Sequence, residues 1–237
     1  VNTAELRVRL IAATHFDASE AEEASGGRWV GSPWDSDADA LAEFAGRTCY
    51  QSFGKPNPAT AENADYLAHI VESEHFSVME HASMSLYVTG VSRSLLLELE
   101  RHRHLSFSVL SQRYVNESDA AAVVPPDLFR TEDTVIGLNL DAVQALTGSA
   151  YDVIAERLTQ LHGFDRKAAR SAARAVLPNM TETRLVVSGN HRTWREVIAK
   201  RSAPGADAEI RRFAAEVLRI GRGIAPATFA DFPEDGE

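Results

Sequence analysis

The 237-residue chain has a single cysteine, Cys49, which excludes an internal disulfide and any cysteine-built zinc cluster. The disulfide-rich secreted scaffolds and the zinc ribbons fall away together, and one thiol is left for thiolate chemistry. No run of 18 uncharged apolar residues occurs, and the N-terminus lacks the basic flank and apolar stretch of a leader. Neither a membrane span nor a signal peptide is therefore expected, and the default address is the cytoplasm. Positive charge is also short: 24 Lys and Arg stand against 34 Asp and Glu, a net charge of −10. That balance argues against a general nucleic-acid coat protein, whose nonspecific binding depends on neutralising phosphates. Lysine is the scarcest cation, present only as Lys55, Lys167 and Lys200, so the other 21 basic residues are arginines. Arginine suits fixed, bidentate contacts with phosphate or carboxylate, although genomic composition bias produces the same ratio. Neither G-x-G-x-x-G after a strand nor G-x-x-x-x-G-K-[ST] is present, so no dinucleotide fingerprint or P-loop supplies a phosphate site.

What remains is ordinary globular material, 44% hydrophobic and 24% charged. Alternation predicts strands over Val8–Ala12, Ala82–Val88 with Gly90 ending it, and Thr183–Ser188. Asp17–Ala40, with Gly26-Gly27, Gly31 and Pro33, reads as a loop. Helices are expected at Ala38–Ala45, at Thr60–Glu74, and after the N-cap candidate Ser92, with Leu95, Leu96 and Leu99 buried. Further helices are expected at Asn139–Leu161, loosened near Gly148, after Asp165, from Asn190 through Arg201, and at Ala206–Ile220, stopped by Gly221 and Gly223. The stretch from the Ser92 helix to Pro125-Pro126 reads as turn-rich. No repeat or linker is evident, and the pattern predicts one α+β domain, mixed α/β, with few strands.

The densest chemistry lies in Arg101-His102-Arg103-His104-Leu105-Ser106-Phe107-Ser108-Val109-Leu110-Ser111-Gln112-Arg113-Tyr114. Three arginines and two histidines beside three serines and a phenol can bind an anion through guanidinium forks and hydroxyls while meeting a planar ring. A plain basic helix end followed by hydroxyl-bearing turns explains one arginine and leaves most of the cluster unexplained. In the second cluster, Asn190-His191-Arg192-Thr193-Trp194-Arg195, Arg192 and Arg195 are spaced to share a helix face and Arg201 is on the opposite side, so separate roles are expected. Asn190 reads as a cap and Trp194 as a core aromatic. His75, Glu80 and His81 lack the i, i+4 histidines of a helical metal motif, and His102 and His104 are two apart, so no metal site is expected. Glu98, three residues before Arg101, is placed to orient it or to meet a ring N–H.

Arg101-His102-Arg103, seven residues, then Ser111 resembles the signature of the flavin-dependent thymidylate synthases. Phe44–Tyr50, His75–Ala82, Arg174–Pro178 and Asn190–Arg201 resemble the same family in order and spacing, over roughly Val8 to Phe232. The resemblance implies a mixed α/β fold with a central sheet flanked by helices, one domain spanning 1–237 with its core at about 8–232, and a homotetramer with sites at subunit interfaces. It implies reductive methylation of dUMP to dTMP, with 5,10-methylenetetrahydrofolate as carbon donor, NADPH as electron donor and FAD as cofactor. Carried over by position, His75, Ser77, Arg101, His102, Arg103, Asn190 and Arg192 are expected at the flavin. Glu98, Ser111, Gln112, Arg113, Arg174 and Arg201 are expected at dUMP, with Ser111, Arg113 and Arg201 nearest the chemistry. No membrane or nucleic-acid partner follows; the competing reading is a non-enzymatic nucleotide- or RNA-binding protein using the same arginines. Because the family needs no cysteine nucleophile, Cys49 is expected to be structural. Val109, Leu95-Leu96-Leu97 and Glu100 depart from the family pattern, and Ser19–Asp37 and Pro233–Glu237 carry no assigned role.

Overall fold

The computed structural model describes residues 2–32, 35–129, 131 and 133–233. The elements run β1 (Arg7–Ala13), α1 (Ala18–Ala24), α2 (Asp37–Tyr50), α3 (Asn63–Glu72), β2 (Ser83–Ser92), α4 (Arg93–Leu99), β3 (Ser106–Val109), α5 (Pro126–Phe129), α6 (Thr134–His162), α7 (Arg166–Ala173), β4 (Glu182–Asn190), α8 (His191–Arg201) and α9 (Ala208–Ile224). Short 3-10 turns at Pro58–Thr60, Phe76–Glu80 and Arg174–Val176 complete the order. The four strands form one sheet, β1-β2-β4-β3, which with the helices gives the mixed α/β class that the sequence predicts.

The chain clusters into two compact units. One comprises Val1–Val8, Tyr87–Arg103 and Phe107–Val186; the other comprises Arg9–Leu86, His104–Ser106 and Val187–Glu237.

In the second unit, α2 starts where the Ser36 hydroxyl accepts the Asp39 N–H at 3.1 Å. Its Ala42 meets Tyr66, Leu67 and Ile70 of α3 and Val78 and Met79 of the following turn in one apolar cluster. Helices α8 and α9 bury Trp194, Val197, Ile198, Ile210, Phe213 and Val217 completely, as the 3.6-residue spacing of these positions requires. The segment without an assigned role also has structure. Asp17 caps α1 by accepting the N–H groups of Ser19 and Glu20 at 3.1 Å each, so Asp17–Ala40 is not one loop. Beyond it, Trp29 is buried edge-on against Phe16 and Phe44, with ring centroids 5.5 and 5.4 Å apart. Pro33, Trp34 and Glu234–Glu237 lie outside the described residues.

In the first unit, Ser92 and Asp165 cap α4 and α7 as expected, accepting the N–H groups of Leu95 and Ala168 at 3.0 and 2.8 Å. Leu95, Leu96 and Leu99 are buried and Leu97 is exposed, so the unusual leucine run still presents one apolar face. Two glycines behave differently from the sequence expectation. Gly90 does not end β2 but sits inside it at φ +70, where a Cβ would come within 1.9 Å of the Glu5 carbonyl oxygen. Gly148 does not loosen α6, which runs unbroken for 29 residues. A Cβ there would lie 2.5 Å from the Ser118 carbonyl oxygen, so the glycine serves close packing. The turn-rich segment after α4 contains the short strand β3, and α9 continues through Gly221 and Gly223 to Ile224.

Candidate functional site

The residues of interest fall into two groups, one in each unit. In the second unit, a cleft of about 340 Å³ opens between the C-terminal half of α2 and the 3-10 turn at Phe76–Glu80. Its apolar wall is Tyr66, Ile70, Phe76 and Val78, and its polar wall is His75, Ser77 and Arg192. Chain direction places these groups. The His75 N–H donates to the Ile70 carbonyl at 3.0 Å, closing α3 and leaving the imidazole exposed. Arg192 is delivered by α8, whose first turn is fixed by Asn190: the Asn190 Oδ1 accepts the Thr193 N–H at 2.8 Å. Asn190 therefore positions Arg192 and does not itself line the cleft. The Arg192 guanidinium pairs with Glu80, both groups being about half exposed.

Beneath the cleft lies a buried polar layer. Arg47 donates to Glu43, with 2% and 0% of their side chains exposed, and to the carbonyl of Thr60. The Arg47 guanidinium lies 4.4 Å from the centroid of the Tyr66 ring. Burial pushes the Tyr66 phenol above its ordinary range. Its hydroxyl fills the space a Cβ would take at Gly46, 2.2 Å from that position, so the small residue lets the phenol pack under the wall. Gly46, Tyr50 and Tyr66 thus belong to the cleft although the residue chemistry singled out none of them, and Cys49, the one thiol, joins them there. The one hint was the Phe44–Tyr50 block. Cys49 is exposed on this wall.

Arg195, spaced to share a face with Arg192, is buried, is not among the lining residues of the cleft and pairs with Asp231. Trp194 is a core residue, its indole N–H donating to the Met84 carbonyl at 3.3 Å. Arg201 ends α8, half-buried, and is not among the lining residues of the cleft. His191 is 1% exposed, its Nε2 has no hydrogen-bond partner among the described residues, and desolvation lowers its pKa to about 4.

In the first unit, α4 ends at Leu99 and its last turn projects the signature. The Arg101 and His102 N–H groups donate to Glu98 and Leu99 at 3.3 and 3.0 Å. Arg101 and Arg103 are exposed, while His102 and Glu98 are half-buried. After β3, the Leu110 N–H donates to the Arg184 carbonyl at 2.9 Å, and the N–H groups of Tyr114 and Val115 return to Ser111 O at 3.0 Å. This turn leaves Arg113 exposed and Ser111 half-buried, and turns Gln112 inward. Arg174 opens the 3-10 turn after α7 and is exposed. Lys167, next to the Tyr114 ring, holds that phenol below its ordinary range through a hydrogen bond and its charge. Among the described residues no group of three or more His, Cys, Asp or Glu has metal-binding geometry. No described helix is long and apolar enough to cross a membrane.

Each group by itself presents guanidinium, imidazole and hydroxyl groups suited to an anionic, ring-bearing ligand, and in the second unit they stand beside an apolar wall. Comparison with known proteins points the same way. Residues 33–227 match the family described as thymidylate synthase complementing protein. The flavin-dependent thymidylate synthase of Mycobacterium avium (strain 104) is 51% identical over 97% of this chain and 90% of its own length. That of Mycobacterium marinum (strain ATCC BAA-535 / M) is 52% identical over 97% and 91%. The crystal structure of thymidylate synthase X from Helicobacter pylori, solved with FAD and dUMP, shares the fold with a TM-score of 0.63 at 22% identity, over 96% of this chain and 98% of that one. With its motifs, fold and relatives in agreement, the chain belongs to the flavin-dependent thymidylate synthase family.

Proposed function

We propose that this protein methylates dUMP reductively to dTMP, with 5,10-methylenetetrahydrofolate as carbon donor, NADPH as electron donor and FAD as cofactor. The observation that carries the reading is the cleft where Arg192, His75 and Ser77 face the aromatic and aliphatic wall of Tyr66, Ile70 and Phe76. That wall suits a planar ring system and that donor set suits its polar edge or a phosphate, so the residues present fit a portion of FAD. The relatives' family name and the FAD and dUMP in the Helicobacter pylori enzyme support the assignment.

On this reading, His75, Ser77 and Arg192 bind and orient the flavin and Asn190 holds Arg192 in place, while the family resemblance assigns Arg101, His102 and Arg103 to the flavin as well. Flavin, when bound, supplies the hydride that reduces the transferred one-carbon group. Ser111, Arg113, Arg174 and Arg201, with Glu98, form the dUMP side, where guanidinium groups counter the nucleotide's negative charge. The protein contributes position and charge rather than a nucleophile, because no histidine–carboxylate relay marks Ser111 as activated. Chain 1–237 acts as one domain with its core at about 8–232, in a homotetramer, in the cytoplasm where its nucleotide substrate is made. The family match over 33–227, which takes in parts of both compact units, supports the single domain.

A non-enzymatic nucleotide- or RNA-binding role has less support, since a net charge of −10 opposes a continuous basic surface. The deciding experiment is an absorption spectrum of the pure protein with FAD, then with dUMP added. A retained flavin band that dUMP perturbs supports one composite site; absence of flavin binding ends the assignment.

A further inference from the structure

Gly46 lies inside α2, in ordinary helical backbone that any residue adopts, and alanine is the better helix former at such a position. What the glycine provides is space. A Cβ there would come within 2.2 Å of the Tyr66 hydroxyl oxygen and 3.1 Å of two carbons of its ring, so no larger residue coexists with the phenol as it stands. Arg47 holds the same phenol from another side, its guanidinium lying 4.4 Å from the ring centroid. That guanidinium is anchored: Nε donates to Glu43 Oε1 at 2.5 Å and Nη2 to the Thr60 carbonyl at 2.7 Å. The second Glu43 oxygen accepts from Asn63 Nδ2 at 3.0 Å. Tyr66 also belongs to an apolar cluster in which Leu67 and Met79 are fully buried, and a close-packed interior leaves an aromatic ring no room to retreat. The empty volume beside it is the cleft of about 340 Å³ that it lines together with Gly46.

We propose that Gly46 and Tyr66 are the specificity-determining pair of this cleft: the glycine lets the phenol sit back against α2, and the width so left admits a planar ring of the flavin cofactor. Arg47 is the positioning residue that keeps the phenol there. The inference rests on the flavin reading above and adds to it the element that sets how thick a ligand the cleft accepts. A side chain at position 46 drives the phenol into the cleft, where it takes volume that the cofactor needs.

The test measures FAD dissociation constants from the flavin spectrum, and thermal unfolding midpoints, for Gly46→Ala, Tyr66→Phe and the double variant Gly46→Ala/Tyr66→Phe. Removing the hydroxyl leaves the added Cβ 3.1 Å from the nearest ring carbons, a contact that a small shift relieves. The FAD dissociation constant is expected to rise about tenfold in Gly46→Ala. It is expected to stay within about twofold of the parent in Tyr66→Phe and to return to within about threefold in the double variant. The Gly46→Ala midpoint is expected within about 4 °C of the parent's, since the helix propensity gained offsets part of the strain. Recovery of binding on loss of a hydroxyl is a signature that a general loosening of the core does not give. Unchanged FAD affinity in Gly46→Ala overturns the proposal. So does a double variant as weak as Gly46→Ala, because the added methyl and not the phenol is then the obstacle. Failure of Gly46→Ala to fold overturns it as well, marking the phenol's place as core packing alone. A parent protein that binds no FAD refutes the flavin reading itself, a result distinct from these.

Discussion

Arg195 grips Asp231 with two parallel hydrogen bonds, Nη1 to Oδ1 at 2.6 Å and Nη2 to Oδ2 at 2.8 Å, while the same Nη1 donates to the Thr228 carbonyl. Its guanidinium also lies 4.8 Å from the Phe232 ring centroid and 5.3 Å from that of Phe76. Burial alone raises the Asp231 carboxyl, but the hydrogen bond and charge of Arg195 outweigh it and hold that group below the ordinary carboxylate range. Three residues earlier on α8, Arg192 pairs with Glu80 at the surface. One helix thus carries a buried, paired arginine and one that lines the cleft.

The two arginines are expected to fail in different ways. Arg195→Ala leaves the Asp231 carboxylate and the Thr228 carbonyl without their donor and lowers stability by about 3 kcal/mol. Arg192→Ala loses only an exposed pair, worth about 0–1 kcal/mol, but weakens flavin retention by about tenfold. Thermal unfolding and bound-flavin absorbance after gel filtration, measured on both variants, separate the two outcomes. An Arg192→Ala protein with full flavin content contradicts the cleft assignment.

His191 supplies a pH dependence with a definite sign. Its folded pKa of about 4 lies below the unperturbed 6.5, so between these values the unfolded chain binds a proton that the folded one refuses. Stability is complete above pH 6.5, falls as the pH drops toward 4, and levels off below that. From pH 7.5 to 5.0 the loss from this group is about 2 kcal/mol. Urea unfolding of the parent and of His191→Asn checks it. The variant is less stable at neutral pH yet shows a correspondingly smaller fall, and an identical fall in both proteins eliminates His191 as the source.

Local chemistry made the caps legible in the sequence. Ser92, Asp165 and Asn190 each accept an N–H three residues on, a contact set within one turn. Asp17 carries the same signal, but α1 is seven residues long with only Ala21 buried, and the surrounding glycines masked it. Gly90 and Gly148 misled because a glycine that punctuates the chain and one that admits a neighbouring backbone look alike in sequence. The Glu5 and Ser118 carbonyls that make the difference come from distant segments. Strand β3 was missed because it is only four residues long and is seated by nonlocal pairing. At the site, the residue types that bind anions stood out, whereas Tyr66 did not, since its place in the cleft is set by burial and by Gly46 and Arg47 on another helix.

Arg113 is the exposed arginine of the Ser111–Val115 turn, with its guanidinium 5.8 Å from the Tyr114 ring centroid. Nothing in the fold depends on it, so Arg113→Ala is expected to keep the parent's thermal stability and flavin content. The dUMP dissociation constant is expected to rise about 100-fold, the loss of a guanidinium contact to a phosphate or pyrimidine oxygen. Titration of the flavin spectrum with dUMP measures it directly. Unchanged affinity removes Arg113 from the substrate side.

Cys49 tests the division between wall and chemistry. Its thiol is exposed and donates to the Ala45 carbonyl one turn earlier, at 3.5 Å. It lines the cleft beside Tyr50, His75 and Ser77. A thiol so placed is not needed as a nucleophile in a flavin route, and alanine keeps both the helix and the open space, so Cys49→Ala is expected to retain flavin and turnover. A bulky group on the same sulfur has the opposite effect, because it occupies the volume proposed for the flavin. Alkylation of the parent with a large maleimide is therefore expected to abolish FAD retention, and FAD added first is expected to slow the alkylation. Cys49→Ala treated with the same reagent is the control, and it should keep its flavin. Loss of turnover in Cys49→Ala with folding and FAD content intact contradicts the cysteine-free route, and full FAD retention by the alkylated parent places the flavin elsewhere.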